Sequence, residues 1–249
     1  MERTLTPVAM MCRISEHYAT AQLELAEALG VDARRIGTPE EPREQHWSDA
    51  LREGRGCLLE AGGQVDDALA AGNFPLLLGG DCSIALTTLA AVNRHRPDAR
   101  VLWLDLHGDF HTPETTESNF LGGMSLAGAC GLWNAGVAEP FPAERVVLAG
   151  VRDLDTPERE ALEHSPATVI GAGLDTLVAV QNALDAGPVY VHLDSDVLEA
   201  LRPDKLYDLL EAVADESEIV GIQVNAEPEY VEDAAGALEA LLKEVHVHN

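Results

Sequence analysis

Val101-Leu102-Trp103-Leu104-Asp105-Leu106-His107-Gly108-Asp109 is the segment from which the architecture can be read. Consecutive apolar residues with no polar alternation describe a strand covered on both faces, and such strands belong to parallel sheets flanked by helices. The run stops at Asp105, and in extended chain residues i, i+2 and i+4 project to the same side. Asp105, His107 and Asp109 are therefore expected to converge where the strand ends. Outward from this segment, similar runs recur at Phe74–Leu78, Arg145–Ala149, Thr168–Ile170, Val189–Leu193 and Ile219–Val224. Helical periodicity lies between most of them, as in Ser83–Asn93 and Pro203–Val213. The alternation predicts an α/β fold, a three-layer α/β/α arrangement with a mostly parallel central sheet. No repeat or Pro/Gly/Ser linker divides the chain, so one domain over residues 1–249 is expected, with Gly37–Trp47 as a surface loop.

The 249 residues are 46% hydrophobic, enough for a sizeable buried core and too apolar for a disordered tail. Lys and Arg number 16 against 43 Asp and Glu, a net charge of −27, and the only lysines are Lys205 and Lys243. No basic stripe exists to hold a phosphate backbone, so nucleic acid is excluded as an expected partner. Such a field favours small cations or divalent metals, although a solvated acidic surface accounts for most of it. Cys12, Cys57, Cys82 and Cys130 are irregularly spaced and include no Cys-x-x-Cys, which argues against a disulfide framework or zinc ribbon. No signal-peptide pattern opens the chain and no apolar run approaches the ~18 residues of a bilayer span, so a cytoplasmic protein without a membrane partner is expected.

Ligands of open parallel sheets bind outside the carboxyl ends of the strands. Polar clusters follow several runs there: Gly79-Gly80-Asp81-Cys82, Asp105 to Asp109, Arg152-Asp153-Leu154-Asp155 and Asp194-Ser195-Asp196. Asp-x-Asp repeats the spacing of Asp-x-His-x-Asp on another strand. Four carboxylates and a histidine near one point repel one another unless a cation joins them, and a binuclear metal site follows. Asp-x-His-x-Asp alone would be no better than strand-end polarity; the joint occurrence carries the ligand reading.

These motifs, in this order over roughly Leu76 to Asn225 and together with Thr112-Pro113-Glu114-Thr115-Thr116-Glu117-Ser118, resemble the ureohydrolase family of arginase and agmatinase. The resemblance implies a three-layer arginase-like fold and a pair of Mn²⁺ ions whose bridging hydroxide attacks a guanidinium carbon to release urea. By the same resemblance Asp105 and Asp194 bridge both ions, His107 and Asp196 complete one, and Asp109 with Cys82 complete the other. Thr116, Ser118 and Asp155 lie near the amino-acid end of a small-molecule substrate, and the protein is expected to be a homo-oligomer.

Departures from the family pattern bear on chemistry. Cys82 stands where the family has His, a soft donor that suits Zn²⁺ or Fe²⁺ better than Mn²⁺; as a protonated thiol it is instead a small hydrophobe. Gly122 stands at the proton-shuttling His, and His111 is the candidate replacement. Gln223 replaces the Glu that pairs with the guanidinium, so the charge-assisted bidentate contact is lost and an altered substrate follows. Phe120 replaces an Asn at the substrate's other end. Glu199-Ala200 replaces Asp-Pro, with a short connection before Pro203 and a more open rim. Asp109, His111 and Gln223 are the candidate catalytic residues. Three classes stay open: a metal-dependent hydrolase of linear C–N bonds, a one-metal deacetylase-like amidohydrolase using Asp105, His107 and Asp194, and a catalytically silent binding or assembly protein. Trp47, Trp103 and Trp133 read as core or interface residues, Gly79-Gly80 as a tight turn, and His246-x-His248 as incidental.

Overall fold

The computed structural model describes residues 3–11, 20–38, 45–244 and 247–248. Its strands are β1 (Arg3–Met10), β2 (Arg34–Ile36), β3 (Phe74–Gly79), β4 (Arg100–Leu104), β5 (Val146–Val151), β6 (Thr168–Gly171), β7 (Val189–Asp194), β8 (Ile219–Asn225) and β9 (Val247–His248). They pair in the order β2-β1-β3-β8-β7-β4-β5-β6, with β9 beside β1, and every pairing is parallel. The six runs expected from the sequence are all strands, within two residues at each end. β1, β2 and β9 were not expected. Arg3, Thr4, Thr6 and Pro7 break the apolar pattern of β1, which is a strand because β3 pairs along Leu5 to Ala9.

Helices cover both faces. One face packs on α1 (Ala21–Ala28), α6 (Thr176–Leu184), α7 (Pro203–Glu216) and α8 (Val231–Glu244), around Leu102, Leu104, Val191, Leu193, Ile222 and Val224. The other packs on α2 (Trp47–Ala70), α3 (Ala85–His95) and α4 (Ser125–Ala129), around Val101, Trp103, Leu148 and Tyr190. The helix α2 is long because Ala50, Gly54, Leu58, Ala61, Val65 and Ala68 recur every three or four residues and give it one buried stripe. His46 starts it by accepting from the Ser48 N–H. The short helix α5 (Thr156–Glu163) is capped by Asp155, whose carboxylate accepts from the Glu158 N–H at 2.9 Å, with Pro157 in its first turn. Among the described residues no helix is long and apolar enough to cross a membrane.

Cys82 and Cys130 are free, whereas Cys57 is disulfide-bonded. The spacing argued only against a disulfide framework, and a single bonded cysteine was not foreseen; a disulfide needs only that two cysteines lie close in the fold. Cys12, His246 and part of Gly37–Trp47 lie outside the described residues.

Gly150, one residue before the end of β5, has φ +91°, and a Cβ there would collide with Val197 Cγ2 and meet the Asp105 carbonyl oxygen at 3.4 Å. Gly150→Ala is expected to destabilise the protein by about 2–4 kcal/mol, from the left-handed backbone and overpacking together. Urea unfolding checks this, and an unchanged midpoint would show that the backbone relaxes freely.

Candidate metal centre

Four neighbouring strands, β3, β8, β7 and β4, end at one cavity. Parallel strands all point their carboxyl ends the same way, and this is where the chain deposits its polar clusters. The cavity is lined by Gly80, Asp81, Cys82, Asp105, His107, Asp109, Phe120, Asp194, Asp196, Asn225, Ala226 and Glu227. All six residues expected to hold metal are therefore brought together. One group of donor atoms, from Asp105, His107 and Asp196, lies within 4.8 Å of one another, and so does a second from Cys82, Asp105 and His192.

Local hydrogen bonds aim these side chains. Asp105 accepts from the His107 N–H at 2.7 Å and from Trp103 Nε1 at 3.1 Å. Asp194 accepts from the Asp196 N–H at 3.2 Å, and Asp196 in turn accepts from the Leu106 N–H at 3.1 Å, tying the end of β7 to the loop after β4. Asp109 takes a left-handed φ of +50°, uncommon for a residue with a Cβ. Its carbonyl accepts from Ala127 N at 3.1 Å and its carboxylate from Ser125 Oγ at 3.1 Å, so the start of α4 holds it in place. Glu158, buried on α5, accepts from the Phe110 N–H at 2.9 Å and lies under Gly108, where a Cβ would meet its carboxyl carbon at 2.7 Å.

The electrostatics are those of an anion cluster seeking a cation. Burial, then the charge of Asp196, raises the Asp105 carboxyl to about 6. Burial and neighbouring carboxylates push Asp109 and Asp194 well above the usual range. The Cys82 thiol is pushed up by burial and then by Asp109, Asp194 and Asp105. His107, with Nδ1 3.6 Å from Asp105 and 2.9 Å from Asp196, is pushed up to about 12 by those two contacts. A divalent ion relieves all of these at once by replacing the proton as counter-charge. The donor set thus fits a metal.

The substrate and catalytic candidates are placed differently. Gln223 is fully buried and does not line the cavity: it accepts from Thr88 Oγ1 at 2.7 Å, and its amide nitrogen lies 2.9 Å from His192 Nδ1. The reason is strand register. Trp103, His192 and Gln223 form one row across β4, β7 and β8, and Asp194 with Asn225 forms a row one pleat nearer the cavity. Side chains of the lower row are roofed by those of the upper. His111 lies outside the cavity lining, with Nε2 3.3 Å from Asp155 and Nδ1 3.2 Å from Thr115. Thr116 and Ser118 sit 3.5 Å apart on the loop that carries Phe120 into the cavity, and they too are off its lining. A Cβ at Gly122 would run into the Phe120 ring.

Sequence reasoning missed His192, Asn225, Glu158 and Ser125. For His192 and Asn225 a signal existed, since they stand two residues before Asp194 and two after Gln223 on expected strands. Trp103, expected to be a core or interface residue, is buried and stacks on His192 with centroids 3.5 Å apart and planes 8° from parallel.

The arginase family's sequence model matches residues 17–202. An N(omega)-hydroxy-L-arginine amidinohydrolase of Streptomyces lavendulae is 41% identical over 175 residues, covering 70% of this chain and 64% of that protein. An arginase of Brevibacillus brevis is 47% identical over 106 residues, covering 40% of this chain and 36% of that enzyme. The match therefore spans less than two thirds of the length of these curated relatives. Among solved structures, an arginase of Bacillus subtilis superposes with a TM-score of 0.79 at 24% identity, covering 96% of this chain and 98% of that one, a likeness of fold.

Proposed function

Because the chain belongs to the arginase family, we propose that it hydrolyses a linear C–N bond at the amidino carbon of a small molecule, with divalent ions held by Asp105, His107, Asp109, Asp194, Asp196 and Cys82. The observation that carries this reading is the convergence of these side chains on one cavity, with the carboxyls of Asp105, Asp109 and Asp194 driven upward by crowding. Ions bound there supply a water activated near neutral pH and Lewis-acid polarisation of the substrate. Carboxylates favour Mn²⁺, while Cys82 shifts its side of the site toward Zn²⁺ or Fe²⁺.

The chain's own groups shape what binds. With Gln223 beneath the floor, no carboxylate from that position meets a guanidinium, and the acidic groups on the cavity wall beyond the ligand cluster are Asp81 and Glu227. A guanidine less basic than arginine's fits this better, and an N-hydroxyguanidine is such a group. The naming of the Streptomyces relative for N(omega)-hydroxy-L-arginine supports this choice. Phe120 adds an apolar wall. We assign the substrate's tail to Thr116, Ser118 and Asp155, and proton release to His111 Nε2, which Asp155 orients.

Metal-loaded protein assayed with arginine and with N(omega)-hydroxy-L-arginine tests this. Turnover is expected with the hydroxylated substrate and to be poor with arginine. Urea release from arginine on the order of 10 per second or more would overturn the specificity, and no turnover of either with ions bound would overturn the hydrolase reading.

A further inference from the structure

We infer that Thr88, Gln223 and His192 form a one-way hydrogen-bond relay that delivers an N–H to the Cys82 sulfur and orients it as a metal donor. The inference deepens the metal-site reading above and rests on it. The relay starts on α3, where the Thr88 hydroxyl donates to Gln223 Oε1 at 2.7 Å. That bond orients the amide, because the reverse orientation would leave the Thr88 hydrogen without this acceptor. The amide nitrogen then faces His192 Nδ1 at 2.9 Å, so Nδ1 accepts. A neutral imidazole carries one N–H, and with Nδ1 accepting, that hydrogen is on Nε2. Nε2 lies 3.3 Å from Cys82 Sγ, its other near neighbour being the Asn225 carboxamide at 3.5 Å.

The surroundings allow little slack. Thr88, Gln223 and His192 are fully buried and Cys82 nearly so. Trp103 lies flat against the His192 ring and blocks its rotation. Asn225 spans the turn before the cysteine, accepting from the Cys82 N–H at 3.0 Å and donating to the Asp81 carbonyl at 3.0 Å. The sulfur thus lies between the Asn225 carboxamide at 2.9 Å and the imidazole at 3.3 Å, 3.1 Å from Asp194 Oδ2 and 3.7 Å from Asp105 Oδ2. On this account Gln223 is a positioning residue that acts through His192. An amide serves the relay where a carboxylate would not, because a carboxylate has no hydrogen to give Nδ1; it would accept from Nδ1–H and leave Nε2 bare toward the sulfur. Groups that orient a metal ligand in this way commonly change metal affinity 10–100-fold.

Cobalt(II) substitution of the full chain reads the relay without any turnover assay, since sulfur bound to Co²⁺ gives a near-ultraviolet charge-transfer band. A band that disappears in Cys82→Ala is expected. In His192→Phe, which keeps the stack on Trp103, and in Gln223→Glu, which keeps the side-chain volume, the band is expected to move to longer wavelength as the sulfur loses its N–H. Affinity for the ion is expected to fall roughly 10–100-fold in both. Co²⁺ binding without a Cys82-dependent band overturns the inference and leaves the metal site standing. So does a band of unchanged position and affinity in the folded Gln223→Glu protein. Absence of Co²⁺ binding by the unaltered chain overturns the metal-site reading and the relay with it.

Discussion

Stripping divalent ions with a chelator is expected to lower the melting temperature by roughly 8–16 °C. A ligand present at about a thousand times its dissociation constant stabilises the folded state by about 4 kcal/mol, and each kcal/mol moves a chain of this size by about 2–4 °C. The gap should widen with pH, and the sign follows from the directions of the shifts. Asp105 titrates at about 6 in the folded ion-free protein, above its ordinary 3.8. The stability it contributes is complete below about pH 4 and is lost as pH rises through about 6. Asp109 and Asp194, raised further, extend that loss to higher pH. His107, raised from 6.5 to about 12, acts in the same direction, its contribution being complete below pH 6.5 and lost as pH rises toward 12. Ion-free protein is therefore expected to weaken between pH 5 and 8 while ion-bound protein, whose donors have already released their protons, weakens less. Thermal scans of both forms across that range decide the matter. An equal gap at pH 5 and pH 8 would mean that these carboxyls do not face a bound ion.

The largest loss of activity is expected from Asp194→Asn. Asp194 sits where β7 ends, 3.1 Å from Cys82 Sγ through one oxygen, and accepts from the Asp196 N–H through the other. It therefore faces both halves of the donor cluster. An amide of the same size keeps the packing but loses the charge that offsets a dication. Turnover of the N-hydroxylated substrate is expected to fall by more than about a hundredfold, beyond the 10–100-fold typical of a group one shell further out. Metal analysis should show fewer bound ions per chain than in the unaltered protein. Full occupancy with activity retained would place the centre elsewhere. Glu158→Gln is a useful contrast: it also removes a buried carboxylate near the loop but touches the Phe110 N–H instead of a donor cluster, so a smaller loss is expected.

Much of the architecture, and the sheet edge at which the expected ligand residues gather, were legible in the chain, because both follow from local patterns. An unbroken apolar run such as Val101–Leu104 describes a strand buried on both faces wherever it sits, and parallel strands deliver whatever follows them to one edge of the sheet. Asp105, His107, Asp109, Asp194 and Asp196 could therefore be expected at one edge from the joint occurrence of these clusters after strands, although Asp109 reaches it through a left-handed φ of +50° past the end of β4. β1 was not legible, since Pro7 and three polar residues hide a strand that depends on β3 for its pairing. The disulfide of Cys57 was equally hidden from spacing.

What only the tertiary structure decided is which side chains share a level. Gln223 and Asn225 both follow the two-residue rule on β8, yet one lies under the floor and the other in the wall, because register with β7 sets Gln223 opposite His192 and Asn225 opposite Asp194. The same register lays Trp103 against His192 and brings a buried imidazole to the sulfur of Cys82. The Phe120 ring packs against Gly122, a contact that the sequence order of the two residues does not reveal. Spacing along one strand sets direction, and it is determined by the sequence. Depth in the site is set by hydrogen-bonded alignment between strands that lie 31 residues apart at His192 and Gln223 and further apart at Trp103 and His192, and a single segment carries no record of that alignment.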